Sequence, residues 1–66
     1  MNDEAEALAR KFHETYERLA PSFGYKTRDA SAVPWEEVPE QNRELMIAVA
    51  RHLIDTEYVT VIGEDE

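Results

Sequence analysis

The sequence predicts a mainly α-helical fold, a small domain of two to three helices with a long irregular loop and a short extended C-terminal segment. Three observations carry that prediction. Ala5, Leu8, Phe12, Tyr16 and Leu19 recur at spacings of three and four, which lines one face of a helix. A second apolar series runs from Leu45 to Ile54 behind Pro39. Between the two series, residues 21–34 lose all periodicity and hold Ser22, Gly24, Ser31 and two prolines.

The first helix is expected from about Asp3 to Ala20. Asn2 or Asp3 can cap its start, early acids suit its positive end, and Pro21 stops it. In the loop, Phe23 and Tyr25 flank Gly24, so its beginning should fold back onto the helices, while Thr27 to Ala32 has nothing large to anchor it. Pro34-Trp35-Glu36-Glu37-Val38-Pro39 reads as a short turn aiming Trp35 and Val38 inward, with Pro39 at the first position of the second helix. That helix is expected to reach about Asp55. Its residues Leu45, Met46, Ile47, Val49, Ala50, Leu53 and Ile54 cover an arc of roughly 200°. One partner cannot cover so wide a face, so it should lie between the first helix and either the loop or another copy of the chain. Tyr58 to Ile62 is β-branched and aromatic and reads as extended, packed as a tail, paired with a loop, or paired with another chain.

With 66 residues there is room for one domain, 1–66, whose acidic ends at 1–4 and 63–66 are expected to fray. A chain of this size buries only about 60% of the surface it exposes when unfolded, so its stability is thin. It has no cysteine, hence no disulfide and no thiolate. No apolar run approaches the roughly 20 residues that span a bilayer, and the acidic amino terminus does not resemble a signal peptide. The expected setting is the cytoplasm, that of the host if the chain is phage-encoded, with no membrane partner. A formal charge of −8 opposes binding to duplex DNA. Yet residues 10–28 hold Arg10, Lys11, Arg18, Lys26 and Arg28 against only Glu14 and Glu17, a stretch that can accept an anion.

Catalytic chemistry finds little support. His13 and His52 lie far apart in sequence without a local pair of the H-E-x-x-H kind, so no metal and no cofactor is expected. No serine, threonine or lysine sits in a nucleophile setting, and two glycines cannot build a phosphate loop. His13 is placed at the edge of the core, bonded to a loop carbonyl or a carboxylate. Asn42 falls near the middle of the second helix's apolar arc, where its amide either ties down the Trp35 turn or the loop, or faces a ligand cleft. Beside it Arg43 can clamp a carboxylate or phosphate, or pair with a nearby acid. Trp35 either plugs the gap between helices or, with Tyr16 or Tyr25, offers a stacking surface, with Lys26 or Arg28 supplying a cation.

The segments Phe12-His13-Glu14-Thr15-Tyr16, Pro34 to Arg43 and Leu53 to Ile62 together resemble the repeat domain first named in ryanodine receptors, which also occurs in stand-alone bacterial and phage versions. The resemblance spans about residues 8 to 62. It implies a compact helical binding module, related bacterial domains having been proposed to recognise nucleotide-like signals, with His13, Trp35, Asn42 and Arg43 at or behind a cleft. The expected function is therefore non-enzymatic binding of a small anionic, nucleotide-like ligand through His13, Tyr16, Tyr25, Arg28, Trp35, Asn42 and Arg43. The alternative is an acidic protein-interaction module, meeting a host protein or a second copy through the second helix or the tail.

Overall fold

A computed structural model describes residues 3–26 and 32–61. It is mainly helical: α1 spans Glu4–Leu19 and α2 spans Glu40–Asp55, with 3₁₀ turns at Ala20–Phe23 and Trp35–Glu37 between them. The tip of the loop, with Arg28, and the last residues of the tail, with Ile62, lie outside the described residues.

Each boundary has a local cause. The Asp3 carboxylate accepts a hydrogen bond from the Ala5 N–H at 3.0 Å, which occupies one of the free donors at the start of α1. Pro21 sits at the head of the first 3₁₀ turn, where its missing N–H does no harm. That turn ends at Gly24, whose φ of 69° favours glycine. Around Trp35 the chain closes by Glu37 N–H donating to the Pro34 carbonyl at 2.8 Å and Val38 N–H to the Trp35 carbonyl at 3.1 Å. Pro39 flanks α2 rather than opening it, and its carbonyl accepts from Arg43 N–H at 2.9 Å.

At its far end α2 stops in a paired-carbonyl cap. Tyr58 N–H donates to Leu53 and Glu57 N–H to Ile54, both at 3.0 Å, with Glu57 left-handed at φ 67°. This is the Schellman arrangement, with glutamate where glycine is usual. The segment after it forms no strand among the described residues. It runs as an irregular tail that half-buries Val59 and Val61 and leaves Tyr58 exposed.

The helices run antiparallel, because Arg51 near the end of α2 meets Asp3 at the start of α1 at 2.9 Å. Arg10 joins α1 to the second turn through Glu36 at 2.7 Å. Both bridges are half exposed, so each contributes at most about 1 kcal/mol.

The core is built from small residues. Ala5, Ala9 and Ala50 are buried around Trp35, with Leu8, Met46, Ile47 and Ile54 packed against them. The expected stripe on α1 needs correction here. Only Ala5 of that stripe is buried, whereas Phe12 is 61% exposed, Tyr16 44% and Leu19 47%. The helix is rotated so that Ala5, Ala9 and His13 face inward. Trp35 is the reason: an indole set between two helices needs alanines opposite it, and the bulky side chains are turned out. Trp35 and Val38 do point inward, at 3% and 2% exposure. Phe23 does not fold back, being 81% exposed.

Candidate functional site

The residues singled out from the sequence do not form one cleft. His13 and Trp35 are inside, with ring centroids 5.9 Å apart. The His13 Nε2 lies 2.7 Å from the Val33 carbonyl oxygen. Because a carbonyl only accepts, Nε2 carries the proton and donates. This is the loop-carbonyl bond expected of His13, and it places the ring deeper than the edge of the core. Trp35 is buried too thoroughly to offer a stacking surface, so of its two readings the interior anchor is the one its burial fits.

Outside His13 lies a shallow hollow of about 440 Å³, lined by His13, Glu14, Glu17, Ala32, Val33 and Pro34. Its charged walls are carboxylates, which repel an anion. Arg10 is held protonated beyond its ordinary range by its hydrogen bond to Glu14 and then by the charge of Glu36.

Tyr16 and Tyr25 are together, but elsewhere. Tyr16 stacks on Phe12 with centroids 6.0 Å apart and receives the edge of Tyr25 at 6.3 Å. Partial desolvation in this cluster, and secondly the neighbouring Tyr25, raises the Tyr16 pKa above its usual value. Asn42 and Arg43 are half-buried in the first turn of α2. No hydrogen bond ties the Asn42 amide among the described residues, so the expected link to the Trp35 turn is not made there. The Arg43 Nε is buried with no acceptor. The histidines stay apart in the fold, and no group of three metal-ligating side chains occurs among the described residues.

A second surface feature is apolar. A groove of about 370 Å³ runs between the helices, walled by Leu8, Phe12, Leu45, Met46, Val49 and Leu53, with Val59 of the tail at one side. Leu45 is 62% exposed and Val49 51%. This is the half of the wide α2 arc that α1 leaves uncovered. The α1 contribution, Phe12 and its neighbours, does not follow from periodicity, which places those side chains in the core. The signal was present in the alanines at positions 5, 9 and 50, which mark a seam of close approach. No family model, no curated protein and no solved structure matches this chain.

Proposed function

We propose that the chain is a non-enzymatic protein-interaction module that docks through the face shared by α1 and α2. The observation that carries this reading is the continuous apolar surface of Phe12, Tyr16, Leu19, Leu45 and Val49 around the groove. With side chains of ordinary size these residues present roughly 500 Å², a large patch for so small a monomer. Covering it is worth on the order of 10 kcal/mol before the costs of association. The resemblance to the ryanodine-receptor repeat is a further ground for reading a binding module. A cytoplasmic setting belongs to the same proposal and rests on the absence of cysteine; no helix among the described residues is long and apolar enough to cross a membrane.

A photo-crosslinking residue at position 12 or 45, compared with one at position 36 in the second turn, tests the reading in cells. Adducts with protein are expected at 12 and 45 and not at 36. Equal labelling at all three, or none at 12 and 45, refutes it.

A second reading, binding of a small anionic, nucleotide-like ligand, is favoured by the unsatisfied Arg43 Nε. An acceptor from a carboxylate or phosphate would complete it. Millimolar nucleotides should then raise the melting temperature of the wild type and not of Arg43→Ala. No shift with any of them removes this reading.

A further inference from the structure

We infer that the occupant of the α1/α2 face is a second copy of this chain, laid across it by a two-fold axis that passes near Phe12 and Val49, perpendicular to the helices; this rests on reading that face as an interaction surface. Three observations select a second copy. The first is size. The exposed apolar patch of roughly 500 Å², widened by half-buried Leu8, Met46 and Leu53 and by a polar rim, approaches the ~800 Å² that each partner contributes to a standard interface.

The second is the charge along the rim. Helical geometry puts Glu4, Lys11 and Arg18 on the outer edge of α1. All three are exposed. A basic partner helix would call for acids along this edge, and an acidic partner for bases along it. Here the edge instead changes from acid to base along its length. Reversing α1 against itself sets Glu4 opposite Arg18 of the second copy. Such self-complementarity under a two-fold rotation is what an isologous contact requires. Arg18 has no salt bridge within its own chain among the described residues, whereas Arg10 and Arg51 are both paired.

The third is the direction of the axis. Asp3 and Glu4 share one end of the hairpin with Asp55 and Glu57, as the Asp3–Arg51 bridge shows. An axis parallel to the helices would stack the two acidic ends on each other. The perpendicular axis sends them to opposite ends of the pair, each meeting an end where Arg18 and Lys26 offset part of the charge of Glu36, Glu37 and Glu40, which lowers the repulsion.

The absence of cysteine gives a direct test on the full chain. Val49→Cys lies on the face beside the proposed axis, and Glu36→Cys lies in the second turn, away from it. Under mild oxidation Val49→Cys should form a covalent dimer and Glu36→Cys should stay monomeric, since two cysteines join only when their Cα atoms come within about 7 Å. Without oxidant, sedimentation should show a monomer–dimer equilibrium that Leu45→Glu weakens about tenfold or more and Arg18→Glu weakens about threefold. Leu45 is exposed, so circular dichroism should report unchanged helicity in that variant. A wild type that remains monomeric at hundreds of micromolar, or a dimer indifferent to Leu45→Glu, overturns the inference. If that monomer still crosslinks other proteins through position 12, the face is an interaction surface with a different occupant; if it crosslinks nothing, the interaction reading falls as well.

Discussion

The imidazole of His13, buried on α1, donates from Nε2 to the carbonyl of Val33 across 2.7 Å, and so pins the returning end of the long loop to the first helix. The ring also meets Trp35 and backs the indole from the loop side. His13→Ala should leave the Val33 carbonyl short of a donor and open space beside Trp35. A loss of about 1–3 kcal/mol is expected in urea unfolding. Amide exchange should rise first at Glu37 and Val38, whose N–H groups close the turn that follows Val33. Unchanged exchange there would mean that the loop is held by other contacts.

Trp35 is the one large side chain at the centre of the alanine cluster. Trp35→Ala should cost about 3–5 kcal/mol. A domain of this length has only some 3–10 kcal/mol in all, so the variant should be largely unfolded by circular dichroism.

Ala9→Leu makes the opposite demand. It adds apolar bulk at a position 2% exposed, where α1 approaches the indole and α2. Overpacking should lower stability by about 1–3 kcal/mol despite the gain in hydrophobicity. A stabilised variant would show that the seam has room to spare.

Glu57 holds a left-handed conformation, φ 67°, at the cap of α2. Glycine adopts it freely, so Glu57→Gly should raise stability by about 1 kcal/mol. In a domain of this size that is a melting temperature about 4–8 °C higher.

Tyr16 should ionise above the ordinary tyrosine range, because partial desolvation and then Tyr25 disfavour the phenolate. A folded-state pKa raised above the unfolded one gives stability that is complete below the unfolded value near 10 and is lost as pH rises through the folded value. Tyr16→Phe should therefore unfold at higher pH than wild type, and should lose the late component of the tyrosine absorbance titration.

Much of the framework was legible because proline and acid positions act locally. Pro21, Pro34 and Pro39 set the turns, Asp3 caps α1, and Trp35 and Val38 point inward as their spacing between prolines implies. The facing of α1 was not legible from periodicity. Two stripes share the same period, the bulky one through Phe12 and Tyr16 and the small one through Ala5 and Ala9, and hydrophobicity favours the former. What decides between them is a tertiary fact, the volume of Trp35, which no local spacing contains. The candidate site was legible only in fragments for the same reason. His13 and Trp35 lie against each other in the interior, while Tyr16 packs with Phe12 on another face.

The alanine seam has a consequence for how such a chain can change. Its interior is specified by a few residues, Ala5, Ala9, Ala50, Trp35 and His13, while Phe12, Leu45 and Val49 contribute chiefly to the outer surface. Inheritance can therefore rewrite the outer set without touching the inner one. On the interaction reading proposed above, selection on a partner and selection on the fold would act on separate lists of residues, and a new specificity would need no new architecture.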